Sequence, residues 1–435
     1  MSRGPSPSLD AGTSQMLRRF APMIYGPTLL FGLGEGALLP LLPIMATNLG
    51  AGVSEAALVA SAIVVARLIG NLPAGWAVAR IGERYTMAIA GALALLGGLG
   101  VVFAPNIGTL AVAVFCIGLC ASAFGLARHA FMTTRVPLSF RARALSVLGG
   151  SFRLGFFVGP FIAAALLATN AGQQAIPWFF VGCLVVLIVL VLVGRDPEEE
   201  LAREGLMPGN AAPRVEDDVA DDTGESVTGS IPTAERQGVF RTMWAYRGLL
   251  ARLGLSAATL SAIRQARVYL LPLWGVSIGM DAQAIALTIG LTGALEFGLF
   301  YTSGQIMDRW GRLWAALPSM VLMGLAFVGL AFTHDLDSAV TWFIAAAVVV
   351  GIGNGLSSGI LMTLGADVAP PANPAPFLGS WRTLTDAGGA SAPLLVAAVT
   401  AVSTLSVATG LIGVIGLVGA VGLLVYIPRY VPRQR

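Results

Sequence analysis

Gly304-Gln-Ile-Met-Asp308-Arg309-Trp-Gly311-Arg312 ends one long apolar run and opens the next, and Gly75-Trp-Ala-Val-Ala79-Arg80-Ile-Gly82 stands at the same point of an earlier pair of runs. The offset is 304 − 75 = 229 residues. With no gap, that offset also pairs Pro43 with Pro272, and Gly150-Ser-Phe-Arg153 with Gly379-Ser-Trp-Arg382. Three coincidences at one offset, each at the same point of its half, are the mark of an internal duplication.

Outward from these loops, apolar stretches of about 20 residues recur along nearly the whole chain, each long enough to cross roughly 30 Å of hydrocarbon as a helix. Spans are expected at 20–47, 55–78, 86–104, 108–132, 144–168 and 175–194, then at 248–277, 281–307, 313–332, 338–364, 375–400 and 404–427. Composition agrees: 56% of the residues are hydrophobic and 11% charged, with a mean hydropathy of +0.80, whereas soluble domains carry about 25% charged residues. The fold class is an all-α membrane protein, with twelve transmembrane helices in two pseudo-symmetric six-helix bundles. The bundles are placed at 20–195 and 247–428, with tails at 1–19 and 429–435 and a linker at 196–246. The first apolar run is too long for a signal-peptide core and is expected to remain as span one.

Arginine placement orients the chain. Arg80, Arg84, Arg135, Arg141, Arg143, Arg195, Arg309 and Arg312 fall in alternate connections, and Arg429, Arg433 and Arg435 in the tail, whereas the connections near Gly50, Asn106, Gln173, Asp281, Asp337 and Ser403 hold none. The positive-inside rule then puts both termini and the linker in the cytoplasm of a multi-pass cell-membrane protein. Within the linker, Asp196 to Gln237 gathers Glu198, Glu199, Glu200, Glu216, Asp217, Asp218, Asp221 and Asp222 among Pro and Gly, and reads as a disordered tether. Phe240, Met243, Trp244 and Tyr246, interleaved with Arg241 and Arg247, read as a short interfacial amphipathic helix or a plain linker.

Every basic residue is Arg. That suits bidentate grips on carboxylate or phosphate, and a GC-rich genome gives the same bias. The net charge of +3 is too small to argue for nucleic acid. Cys116, Cys120 and Cys183 fall inside spans and read as packing residues, and His129 and His334 lie far apart, so neither a metal nor a catalytic centre is expected. No cofactor and no enzymatic role are expected, and the chain is read as a monomer.

The loop pattern from Gly304 to Arg312 resembles the signature of the major facilitator superfamily, and the resemblance extends over roughly 20–427. In the first copy Ala79 and Glu83 depart from it. Gly155-Phe-Phe-Val-Gly159-Pro160 in span five resembles an element of the drug:proton antiporter branch, and close helix packing through small residues gives the same pattern. Ala121 stands where that branch has a proton-linked arginine. The resemblance implies alternating access, with spans one, four, seven and ten around a cavity, span two against eleven, and span five against eight. It also implies that Asp308 latches onto the start of span five, near Arg141 and Arg143.

Glu35, Arg67, Arg128, Arg153, Arg264, Arg267, Glu296, Arg382 and Asp386 lie within predicted spans. A charge at a helix centre costs about 2.5–3.5 kcal/mol, so these residues must face partners or a wet cavity. Arg128, beside His129, reads as a snorkelling edge residue or a ligand. The resemblance implies the pairs Arg67–Asp386 and Arg153–Glu296, serving as glue between the halves or as gates. Glu35 and Arg264 occupy equivalent points, since 264 − 35 = 229, and are expected to face each other, with Glu35 as the proton site. The substrate cavity is expected to hold Glu35, Arg264, Arg267 and Arg128. Six arginines against three acids favour an anionic substrate. Proton-coupled efflux of an amphipathic anion or lipid is the first expectation, proton-coupled uptake of an organic anion the second, and a non-transporting receptor a remote third.

Overall fold

The computed structural model describes residues 25–135, 138–169, 172–193, 243–370 and 374–431, without the side chains of 72, 129–146, 193 and 374–376. The acidic tether, Phe240 and Arg241, Arg195, the side chains of His129, Arg135, Arg141 and Arg143, and the tail at 1–19 lie outside the described residues.

Twelve long helices occupy the described residues. In the first half they are α1 Tyr25–Asn48, α2 Val53–Ile81, α3 Glu83–Val102, α4 Ile107–Arg135, α5 Leu138–Leu167 and α6 Ala175–Val193. In the second half they are α7 Leu255–Ser277, α8 Ala282–Arg309, α9 Arg312–Leu330, α10 Ala339–Val368, α11 Pro374–Val402 and α12 Leu405–Tyr430. Eleven are apolar and long enough to cross a bilayer by that criterion alone. The exception, α7, carries Arg264 and Arg267, and its length of about 35 Å at 1.5 Å per residue is still sufficient. Before α7 come a helical turn Arg247–Leu249 and a π turn Leu250–Gly254. The Arg247 guanidinium lies 5.0 Å from the centre of the exposed Trp244 ring.

The duplication is visible in the backbone. Gly82 and Gly311 have φ of 81° and 92°, and Gly50 and Gly279 have φ of 89° and 77°. Both pairs stand 229 apart, at tight reversals between helices where only glycine adopts such angles without steric cost. The glycine that closes each loop motif is therefore required by the turn.

Span ten departs from the sequence expectation. It is two pieces, Ala339–Leu356 and Ile360–Val368, separated at Ser357–Gly359, where Gly359 has a φ of 79°. Glycines at 351, 353, 355 and 359 weaken helix continuity here. The carbonyls that the break frees are taken up by side chains. Ser303 Oγ donates to Leu356 O at 2.7 Å and to Ser358 O at 2.9 Å.

Between the halves, α2 packs along α11 and α5 along α8. At the arginine-free face an apolar cluster closes the junction, with Ala37, Leu41 and Ile44 of α1 and Ala163 and Ala164 of α5 against Ile285 and Ala286 of α8. There Ser54 Oγ of α2 also donates to the Ala397 carbonyl of α11 at 3.0 Å.

Helices α1 and α5 approach through glycines on both. A Cβ at Gly155 would lie 2.5 Å from Leu29 O, and one at Gly159 2.6 Å from both Ala37 N and Leu33 O. Gly32 and Gly36 meet the Phe152 and Phe156 carbonyls in the same way. Close packing of backbones accounts for Gly155 and Gly159 of that element. Because backbone cannot yield as a side-chain end does, Gly159→Val is expected to cost about 3 kcal/mol. Gly298→Ala, with nothing within 4 Å of the added methyl, should cost nothing. Thermal melting of the purified variants checks this, and a Gly159→Val protein that melts with the wild type contradicts it.

Candidate substrate and proton site

Among the described residues, two ion pairs join interior charges on different helices, one per half. Glu35 of α1, 1% exposed, takes a hydrogen bond from Arg67 Nη2 of α2. Glu296 of α8 takes one from Arg267 Nη2 of α7 at 2.7 Å, with both side chains largely buried. In each half, therefore, the first helix pairs with the second. Their positions are related by the duplication with the charges exchanged, because 35 + 229 = 264 and 67 + 229 = 296, and the arginine that meets Glu296 is one turn beyond Arg264. The offset that aligned Glu35 with Arg264 also aligns Arg67 with Glu296, so this signal was present in the sequence and was missed.

These pairs correct two expectations. Arg67 is bound to Glu35, while Asp386 lies 3.5 Å from Arg382, one turn away on its own helix. Arg153 does reach α8, within electrostatic range of Glu296 and over the Phe300 ring, 4.4 Å from its centre, while the hydrogen bond to Glu296 comes from Arg267. Glu35 and Arg264 make no ion pair. For Arg67, Glu35 and Arg264 a partner within the same half, fixed by helix packing, wins over one across the junction.

Arg264 has a different environment. Its Nε donates to Asn354 Oδ1 at 2.8 Å and its Nη1 to the Ser357 carbonyl at 3.3 Å, both on α10. Among the described residues no carboxylate lies within ion-pair distance of it, although Glu296, Arg267 and Arg153 are within electrostatic reach. Asn354, buried between Arg264 and Glu296, was not singled out from the sequence, since a lone Asn in a Gly-rich run carries no pattern. The break in α10 presents the Ser357 carbonyl to Arg264. Tyr269 of α7, 4% exposed, lies near Arg67 and Glu35, so the two clusters are neighbours across the junction.

Arg128 does not snorkel: it is 7% exposed, with its guanidinium 5.2 Å from the Phe124 ring centre. The ring face offers the cation a partial negative charge in place of water. At the arginine-rich face, Arg312 Nε donates to Asp367 Oδ2 of α10 at 2.8 Å and its Nη1 to Met307 O at 3.0 Å. Asp308 is 80% exposed and touches Arg312 only at 3.7 Å. The expected latch of Asp308 on α5 is not made by the described residues. Arg312 is instead the staple, joining the ends of α8, α9 and α10. In the first half Arg84 Nη2 donates to the Leu192 carbonyl at the end of α6 at 3.1 Å. Of the remaining motif positions, Arg80 and Arg309 are exposed and Gly75 packs near Leu126.

Two duplicated bundles of six helices, meeting around paired charges in the membrane interior, define a multi-pass secondary transporter. The chain belongs to the Major Facilitator Superfamily, whose sequence profile matches residues 27–393. It is 25% identical over 335 residues to the putative metabolite transport protein YwtG of Bacillus subtilis (strain 168), covering 72% of this chain and 70% of that protein. Among solved structures it resembles an auto-inhibited POT family peptide transporter with a TM-score of 0.69 at 14% identity, over 96% of this chain and 98% of that one. It also resembles the human organic anion transporter MFSD10 (TETRAN) with a TM-score of 0.60 at 16% identity, over 93% and 99% of the two chains. At these identities the structures establish the shared fold alone. The family is non-enzymatic.

Proposed function

We infer that this transporter carries a small organic anion together with protons, by alternating access between its two halves, across the cell membrane with the arginine-rich face in the cytoplasm. The observation that carries the reading is Arg264, a guanidinium in the membrane interior bound only to neutral acceptors. A buried charge without an ion-pair contact is costly there, and a carboxylate or phosphate entering the cavity supplies such a contact in the planar geometry that Arg favours.

The coupling follows from the ion pairs. Protonating Glu35 releases Arg67, and adds one positive charge to a region already rich in arginine. The proton thus raises the affinity for an anion, and by linkage the anion raises the affinity for the proton. Two ligands that favour each other's binding travel together, whereas exchange requires them to compete. This supports co-transport over the export that the Gly155, Gly159 and Pro160 element suggested, and α1–α5 packing already accounts for those glycines. The metabolite transport assigned by name to the Bacillus subtilis relative is compatible with a small-molecule cargo.

The test is flux in proteoliposomes with an imposed proton gradient, against a panel of radiolabelled mono- and dicarboxylates, phosphate esters and organic cations. Anions should accumulate on the side toward which protons flow, and organic cations should not. Accumulation against the proton flow would establish exchange in place of co-transport.

A further inference from the structure

Glu296 takes the Arg267 hydrogen bond on Oε2, while its Oε1, in ion contact with Arg267, is buried without an aligned hydrogen bond, as is Arg267 Nε. A cavity of about 30 Å³ opens on this pair between the halves, walled by Gly36, Leu39 and Phe156 on one side and Ile289 and Gly293 on the other. A water needs about 10–15 Å³ on this measure. The cavity therefore has room for at least one, to which the pair offers an acceptor at Oε1 and a donor at Nε. Glu35 repeats the feature in the other half, since its Oε2 is also buried without a hydrogen bond.

We propose that Glu296 is a second proton-binding carboxylate, hydrated from this cavity, so that each half of the transporter carries one proton site. The step is a simple protonation: a proton delivered through the cavity water adds to Oε1, the carboxylate becomes a carboxylic acid, and Arg267 keeps its charge but loses its anionic partner. The groups facing Glu296 are Arg267 and Arg264 on α7, Arg153 on α5 and Asn354 on α10. All but the amide are cationic, so loss of the Glu296 charge leaves these arginines available to an anion. The inference rests on the co-transport reading and adds a second proton to it.

The experiment is pH-difference infrared spectroscopy of the full-length protein in lipid vesicles, with protons and deuterons as the only probe. The carbonyl stretch of protonated carboxylic acids should contain one component that Glu35→Gln removes and a separate one that Glu296→Gln removes. Gly293→Ala keeps Glu296, and its methyl meets only Phe157, at 3.6 Å. It should fold normally, fill part of the cavity, and shift the Glu296 component in frequency and midpoint. A Glu296→Gln spectrum superposable on the wild type overturns the proposal. If that variant does not fold, an unshifted spectrum for Gly293→Ala overturns it instead. A Glu35→Gln spectrum superposable on the wild type, with the Glu296 component still present, would leave this site standing and remove the coupling role given to Glu35, so the two readings fail separately.

Discussion

Arg264→Ala is expected to abolish high-affinity binding of the transported anion, weakening it by at least about thirtyfold, the low end of what removing one buried partner of a charged hydrogen-bonded pair costs. The loss should fall on anions alone. Arg264→Lys should keep part of the affinity, because a lysine retains the charge but cannot hold Asn354, the Ser357 carbonyl and a planar anion with one rigid fork. The competing reading is that Arg264 serves to clasp the break in α10 through its bonds to Asn354 and Ser357. In that case Arg264→Ala lowers the melting temperature without changing affinity in the folded fraction. Isothermal titration and thermal melting on the same preparations separate the two, and full affinity in Arg264→Ala excludes the anion-binding role.

Glu35→Gln should have the second largest effect, on coupling and not on binding. The amide imitates the protonated acid, so counterflow exchange of labelled for unlabelled anion should continue. Each coupled proton multiplies the attainable accumulation by about tenfold per unit of pH gradient, the free-energy equivalent of one decade. Removing the Glu35 proton should therefore lower the steady-state ratio by about that factor. A ratio that falls to unity marks Glu35 as the sole coupling group. A ratio that falls but stays above unity fits a second site at Glu296. An unchanged ratio eliminates Glu35 from coupling. If the Glu35–Arg67 pair were only structural, the variant would leave Arg67 without its buried carboxylate, and instability with unaltered coupling would follow.

The architecture was legible in the sequence to the level of single helices. Spans predicted at 281–307 and 404–427 are α8 Ala282–Arg309 and α12 Leu405–Tyr430, because a bilayer demands about 20 apolar residues per helix and leaves composition little freedom. The start of α5 was placed six residues late, at 144 against Leu138, since Arg141 and Arg143 look like loop residues although a helix can project them beyond the bilayer. The duplication was likewise readable, because turns such as those at Gly82 and Gly311 tolerate little besides glycine. The nine intramembrane charges could be named because hydrocarbon makes each of them costly.

What the sequence alone determined, then, is the number of helices, the duplication, the family resemblance and the set of buried charges, all properties of local composition or periodicity. Which charge meets which was decided by the tertiary structure. Glu35 had Arg67, Arg264 and the arginines of two further helices as conceivable partners, and a pairing among them depends on helix rotation and approach at the scale of a single hydrogen bond. The α1–α5 contact shows how such an approach is set, by Gly32, Gly36, Gly155 and Gly159 meeting backbone to backbone. The break in α10, and with it the neutral seating of Arg264 on Asn354 and Ser357, arose the same way. A Gly-rich run permits a helix to continue or to part, and only the neighbouring Ser303 and Arg264, arriving from α8 and α7 to satisfy the freed carbonyls, make parting the stable outcome.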